Sequence, residues 1–306
     1  MSRGLGDVYK RQPITLFAAF AQNLRFMLQR HLSATELSTA GATFARFLFS
    51  APIVAVIVLV YSSSRDLALP DTNPTFWLAA LTGGAAQILA TMCVVALFAE
   101  RTFAIGITFK KTEVMLTALI GFLVLGEGMT SGGLFAVFVG FAGVILLSDP
   151  PNATGGLSRL LNRGVLFGVA SGALFGVSSV GYRAATLALD TPDVFLRASM
   201  TLACVTASQT LAMAIYLRLF EAGEIKRVLG SWRVSGLVGL TSLAGSLGWF
   251  TAFALQTAAY VKALGQIELV FSFLASTFVF KESTTRREVM GVILIAASVL
   301  ILVLTL

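Results

Sequence analysis

Charged residues are scarce in this chain of 306 residues. Asp, Glu, Lys and Arg together make up 12% of the sequence, whereas hydrophobic residues make up 57%, and the mean hydropathy is +0.86. A soluble domain carries about 25% charged residues. A chain with so few has too little polar surface to cover a globule in water, so its composition predicts a protein surrounded by lipid.

Histidine and cysteine are almost absent as well. The single histidine, His31, lies beside Arg30 at the end of a predicted helix, and the two cysteines, Cys93 and Cys204, lie in apolar segments. They form no disulfide or metal-binding spacing, and we expect no cofactor. The net charge of +7 is spread over short loops, without the basic, aromatic-rich run of a nucleic-acid groove, so no nucleic-acid partner is expected.

The N-terminal stretch differs from the rest of the chain. Its sequence, MSRGLGDVYKRQ, lacks the apolar core of a signal peptide. It resembles a non-native leader of the kind left by sequence assembly or cloning. Residues 1–12 are therefore set apart from the fold prediction.

Long apolar runs dominate the remainder. Each has roughly the 20 residues that cross a hydrocarbon core, and short separators such as SDPPNATGG and LDTPD divide them. The runs do not alternate between apolar and polar residues as barrel strands do, so they are predicted to be helices. The sequence predicts an all-α polytopic membrane protein with ten transmembrane helices, near 13–32, 39–61, 75–99, 102–125, 132–147, 164–184, 194–217, 235–256, 259–280 and 288–306.

The chain repeats itself after 155 residues. This shift aligns Trp77 with Trp232 and Glu113 with Glu268, and both residue types are too rare here for shared composition to explain the matches. Each half contains five predicted helices, and an odd number makes the second half enter the membrane from the opposite side. We therefore predict two inverted five-helix repeats, 13–148 and 164–306, joined by a linker loop at 149–163.

Charges occur in the middle of one predicted helix, FAIGITFKKTEVMLTALIGFLVL, which contains Lys110, Lys111 and Glu113. A charge at the bilayer centre costs about 2.5–3.5 kcal/mol on insertion scales. On a continuous helix, Lys110 and Glu113 share a face and Lys111 points nearly opposite. The pair could simply neutralise itself, but Lys111 then still needs a cavity or a partner. Glu268 occupies the matching position in the second half, within VKALGQIELVFSFLASTFVF.

These residues predict a polar site near the bilayer midplane. Lys111, Lys262 and Gln266 could line one polar surface, with Glu113 and Glu268 related by the pseudo-twofold axis. Two carboxylates that approach each other in a low dielectric cannot both stay ionised. One of them would then hold a proton, as proton-coupled transport requires.

Other helices offer further candidates. Gln22 and Asn23 in the first helix either line the site or bond neighbouring helices. Trp249 and Phe253 in the eighth helix either pack in the core or form a wall for an apolar substrate group. The sixth helix contains the small and polar run SGALFGVSSVGYR, which allows close packing and can shape a cavity wall.

Three stretches resemble a known family. LVLGEGMTSGGLFAVFVGFAGVILL closes the first half, FVFKESTTRREVMGVILIAASVLILVL closes the second, and GATFARFLFSAP carries Arg46 in the second helix. Over 13–306, the chain resembles the EamA-type transporters of the drug/metabolite transporter superfamily. Many members carry a proline in the fourth and ninth helices, where this chain has Thr112–Glu113 and Ile267–Glu268. Arg46 is expected to extend toward the lipid head groups.

The resemblance and the midplane charges imply a secondary active transporter. We expect an exporter of small polar or amphipathic metabolites such as amino acids, which works by alternating access in the cell inner membrane with protons as coupling ions. It would contact lipid, act as a monomer or homodimer, and not be an enzyme. Without a Walker-type phosphate loop, ATP is not the direct energy source.

Two other functions and both membrane orientations remain open. The chain could be a structural or regulatory membrane subunit, or an intramembrane lipid-modifying enzyme. Family habit places the termini in the cytoplasm, whereas the arginine and lysine residues of the loops favour the reverse orientation.

Overall fold

A computed structural model describes residues 3–100, 103–125, 130–147, 163–255, 258, 261–262, 265, 268–283 and 285–305. Within these residues the chain is helical and contains no strand. The helices are α1 (Arg3–Thr35), α2 (Thr39–Ser64), α3 (Pro74–Glu100), α4 (Phe103–Lys110), α5 (Thr112–Leu125), α6 (Ser131–Leu147), α7 (Arg163–Leu187), α8 (Val194–Phe220), α9 (Glu224–Gly230), α10 (Trp232–Leu255), α11 (Glu268–Leu274) and α12 (Arg286–Thr305). A π-helical turn, Ala275–Val279, continues α11.

Five of the described helices, α2, α3, α7, α8 and α10, are long and apolar enough to cross a membrane. Shorter apolar helices occur within α6, from α11 into the π-helical turn, and within α12. The predicted all-α class is therefore confirmed, and the five long apolar helices are compatible with the expected membrane protein. The ten spans and the inversion of the repeats stay predictions.

The helices form two compact units, and neither unit is one half of the sequence. The first unit contains Met1–Ile88 and Ser178–Gly265, and the second contains Leu89–Val177 and Gln266–Leu306. Each unit thus joins a segment from the first predicted repeat to a segment from the second. The repeat boundaries at 13–148 and 164–306 rest on sequence alone.

In the first unit, α10 packs against α1, α2 and α8. Small residues let it approach its neighbours closely: a Cβ added at Gly239 would lie 2.4 Å from the Cβ of Phe49 and 3.1 Å from its backbone. Gly245 faces the backbone of α1, where a Cβ would lie 3.4 Å from the carbonyl oxygen of Ala18. Helices in lipid associate through such close packing because apolar burial alone does not favour association there.

Side-chain caps mark the ends of helices in the first unit. The Ser38 hydroxyl accepts from Gly41 N at 2.9 Å at the start of α2, and the backbone N–H of Ser38 donates to Glu224. Asp193 caps α8 by accepting from Leu196 N at 2.7 Å, and its other oxygen accepts from the Tyr61 hydroxyl at 3.0 Å. These bonds satisfy backbone N–H groups that have no partner within the helix.

In the second unit, α6 packs along α12. A Cβ at Gly143 would lie 2.8 Å from the carbonyl oxygen of Gly291, and Ser298 donates to the carbonyl oxygen of Ala136 at 2.6 Å. A hydrophobic core joins α12 to α3, α4 and α7, and it contains Leu97, Phe109, Val165, Val292 and Ile295.

We predict that Gly239→Ala destabilises the protein by about 1–3 kcal/mol, because the added methyl group overpacks the contact with Phe49. Gly236 lies one turn earlier in α10, and a Cβ there meets nothing within 4 Å. Gly236→Ala is therefore the matched control and should be neutral or slightly stabilising. Thermal unfolding of both purified variants in detergent would measure the difference, and equal midpoints would contradict close α2–α10 packing.

Candidate functional site

The predicted fourth helix is interrupted at Lys111. The helix α4 ends at Lys110 and α5 begins at Thr112. At the interruption, Lys111 N donates to the carbonyl oxygen of Thr108 at 2.9 Å, and Val114 N donates to that of Lys111 at 3.2 Å. Bonds of this i to i−3 kind tighten the helix locally. The prediction of one continuous helix is wrong here, and the break occurs without a proline.

A side chain contributes to the interruption. The Thr112 hydroxyl donates to the carbonyl oxygen of Phe109 at 2.8 Å, so this oxygen is bonded by a side chain at the break. Threonine hydroxyls compete with the helical backbone for carbonyl oxygens in this manner. The interruption therefore coincides with a side-chain bond to the helical backbone rather than with a proline.

The interruption brings both lysines to one glutamate. Lys110 Nζ lies 3.0 Å from Glu268 Oε2, and Lys111 Nζ lies 2.5 Å from the same oxygen. The expectation that Lys111 points away from Lys110 is therefore wrong, because it assumed an unbroken helix. Lys110 Nζ also lies 3.9 Å from Glu113 Oε1, so the self-neutralising pair is present but is part of a larger group.

We call Lys110, Lys111, Glu113 and Glu268 the charged cluster. Each residue is at most 1% exposed, and the two ammonium and two carboxylate groups balance when all are ionised. Charges buried in an apolar interior require close partners of opposite sign. The two nearby ammonium groups stabilise the ionised form of Glu268 in particular.

One face of α7 lies against the interruption. A Cβ at Gly168 would lie 2.6 Å from Phe109, and one at Gly172 would lie 2.9 Å from the backbone nitrogen of Glu113. One turn further, the Phe175 ring centroid lies 5.3 Å from Lys110 Nζ. The two glycines are spaced as in the small-residue motifs of membrane helices. The close packing expected of this helix is thus observed, and its partner is the break next to the charged cluster.

The other predicted site residues that the structure describes lie in the first unit. Gln22 and Asn23 are buried in α1, at 8% and 3% exposure. Lys262 Nζ lies 5.0 Å from the Trp249 ring centroid and 5.7 Å from that of Phe253. These five predicted positions belong to the first unit, and the charged cluster belongs to the second.

Gln266 lies outside the described residues. The predicted polar surface of Lys111, Lys262 and Gln266 stays a prediction, because Lys111 and Lys262 belong to different compact units.

Arg46 behaves differently from the expectation. It is 3% exposed, and its Nε donates to the Ser242 hydroxyl of α10 at 2.9 Å. The expected extension toward the head groups is therefore wrong. The sequence contains one indication of this contact, because α10 has two serines one turn apart, Ser242 and Ser246, which both accept from Arg46. It does not show which helix they face.

The structure contains a second polar network that the sequence analysis does not predict. Gln209 Nε2 donates to the carbonyl oxygen of Gly84 and to Gln87 Oε1, both at 3.0 Å, and the Tyr182 hydroxyl donates to the same Gln87 oxygen at 2.9 Å. Gly84 and Gln209 also line a cavity of about 230 Å³ between α3 and α8. Single amides in apolar helices carry no pattern that predicts this arrangement.

Comparison with known proteins informs the fold alone. No family model and no curated protein sequence matches the chain. Among solved structures, 27 chains are similar. One crystal structure has a TM-score of 0.61 and 16% sequence identity, covering 95% of this chain and 96% of that chain. At such low identity the likeness shows that the fold is shared over nearly the whole length.

We predict that Glu268→Gln destabilises the protein by about 3–5 kcal/mol, since it leaves buried ammonium groups in excess. Lys111→Met should also destabilise, with the opposite imbalance. In the double variant one ammonium group and one carboxylate remain, so the charges of the cluster balance again. It should therefore recover much of the lost stability, which is the signature of coupled sites.

Thermal unfolding in detergent would measure all three variants. Glu36→Gln is the control, because Glu36 is exposed. Additive losses in the double variant would contradict direct pairing of Lys111 with Glu268.

Proposed function

We propose that the chain is a secondary active transporter of small polar or amphipathic metabolites. The observation that carries this proposal is the buried charged cluster at the interruption between α4 and α5. Transporter sites lie near the bilayer midplane and are typically formed by discontinuous helices. A structural or regulatory subunit has no need of four buried charges, whose insertion is costly.

The proposal includes an inverted arrangement of two five-helix repeats with ten spans, as in EamA-type transporters. The 155-residue repeat supports it, because the aligned positions include Glu113 and Glu268, which both belong to the charged cluster. Two inverted halves of similar structure can exchange roles, so that the site opens to one side of the membrane and then to the other. We place the protein in the cell inner membrane as an exporter that is not an enzyme.

Proton coupling would act through the charged cluster. Lys110 Nζ lies within 4 Å of both carboxylates, whereas Glu268 also binds Lys111 at 2.5 Å. We propose Glu113 and Glu268 as the titrating pair, with a proton taken up at either carboxylate. A proton there leaves a net charge of +1 on the cluster, which is unfavourable in an apolar interior until another charge change compensates it.

The inverted topology predicts the sides on which two aligned loop positions lie. Asp71 and Lys226 are 155 residues apart and both are exposed. In a background without Cys93 and Cys204, Asp71→Cys and Lys226→Cys should react with a membrane-impermeant maleimide from opposite sides of the membrane. Labelling of both positions from the same side would contradict the inverted repeat, and the labelling side would also settle the orientation.

The proposed coupling predicts a separation of two transport activities. In proteoliposomes screened with radiolabelled amino acids, Glu113→Gln should abolish accumulation driven by a pH gradient but retain substrate exchange at equal pH. The substitution keeps size and hydrogen bonding but removes the titrating proton. Glu268→Gln should also lose driven accumulation, because it unbalances the cluster.

The exposed Glu36→Gln serves as the control and should behave as wild type. Full gradient-driven accumulation in both cluster variants would contradict coupling through these carboxylates. No exchange of any tested metabolite by the folded wild type would contradict the transporter proposal itself.

A further inference from the structure

We propose that Trp249, Phe253 and Lys262 form a subsite that binds the carboxylate of an organic anion with an apolar body. This inference rests on the proposed transport function, and it names the chemical class of the substrate. The three residues belong to the first compact unit, and the charged cluster belongs to the second.

The first observation is a buried donor without an acceptor. Trp249 is 6% exposed, and its Nε1 is buried with no hydrogen-bond partner among the described residues. An indole N–H can only donate. A buried donor left unpaired lowers stability, so such a group in a native protein calls for an explanation, and the one we draw is an acceptor supplied by a ligand.

Close packing fixes the indole in this position. The ring stacks on Phe253 with centroids 6.3 Å apart and an interplanar angle of 25°. On another side, a Cβ at Gly265 would lie 2.4 Å from the indole Cη2, so the glycine admits the ring where a larger residue would not. The ring cannot turn easily to bring its N–H to a protein acceptor, and the donor is thereby held ready for a ligand.

The neighbouring polar groups are cationic donors. Lys262 Nζ lies 5.0 Å from the Trp249 centroid and 5.7 Å from that of Phe253. Arg183 Nη1 donates to the carbonyl oxygen of Phe253 at 2.7 Å. Ammonium and guanidinium groups have no acceptor atom. A ligand that pairs with the Trp249 N–H must therefore offer an acceptor atom. Because the neighbouring side chains are cationic, a negatively charged oxygen is favoured as that acceptor.

The other two tryptophans differ from Trp249. Trp77 is 37% exposed and its Nε1 donates to the Thr72 hydroxyl at 3.0 Å, while Trp232 is 60% exposed. The aromatic surface of Trp249 and Phe253 would contact the apolar body of the ligand. One N–H donor and one ammonium group match the single negative charge of a carboxylate, whereas a phosphate group carries about −1.5 to −2 charges and three strong acceptor oxygens, so we assign a carboxylate.

Equilibrium dialysis with radiolabelled phenylacetate would test the subsite in the purified wild-type protein in detergent. We expect saturable binding of phenylacetate, and binding at least about tenfold weaker for phenylacetamide and phenethylamine, which have the same ring without the negative charge. Trp249→Phe keeps an aromatic ring but removes the N–H, and should weaken phenylacetate binding about tenfold or more, as for the loss of a hydrogen bond to a charged group. Trp77→Phe, the matched control, should leave binding unchanged.

Three results would overturn the proposal: equal binding of phenylacetamide, tighter binding of phenyl phosphate than of phenylacetate, or unchanged binding by a folded Trp249→Phe variant. Transport in proteoliposomes is read separately. If the protein exchanges only neutral or cationic metabolites, the subsite is wrong and the transporter proposal stands. If it binds phenylacetate but exchanges nothing, the subsite stands and the transporter proposal is wrong.

Discussion

The ion pairs that Glu268 forms with Lys110 and Lys111 are the interaction on which the second unit depends. An ionised side chain in an apolar interior is stable only when an opposite charge lies within hydrogen-bond distance, because no water can solvate it. Glu268 satisfies two lysines at once, at 3.0 Å and 2.5 Å. This requirement ties the start of α11 to the end of α4, although the residues are more than 150 positions apart in the chain.

The helix is interrupted at Lys111, at the place where both lysines pair with Glu268. Adjacent residues on a regular helix point about 100° apart, so they reach one partner poorly. Tightened bonds at Lys111 and the hydroxyl of Thr112 change the local geometry, and both ammonium groups reach one oxygen. Gly168 and Gly172 then let α7 cover the break. Charge, local backbone geometry and helix packing therefore depend on one another at this site.

In the first unit, hydrogen bonds between helices and close packing at glycine are again found together. Several of its buried polar side chains form hydrogen bonds between helices, as Arg46 does with Ser242 of α10 and Gln209 does with the carbonyl oxygen of Gly84 in α3. Glycine again sets the distance between backbones, at Gly239 against α2. Trp249 Nε1 is one of the buried polar atoms of this unit that have no hydrogen-bond partner among the described residues, and packing holds its ring in place.

The sequence by itself determined the helical membrane class, because scarce charge and long apolar runs leave no other way to satisfy the backbone in lipid. It also identified Lys110, Lys111, Glu113 and Glu268 as costly charges, since their cost depends only on residue type and position within an apolar segment. Only the tertiary structure decided which of them pair, because the direction of Lys111 depends on a break that helical periodicity does not reveal. It also decided that Arg46 is buried and that each compact unit combines both sequence halves, because such contacts join residues that are distant in the chain and leave no local pattern.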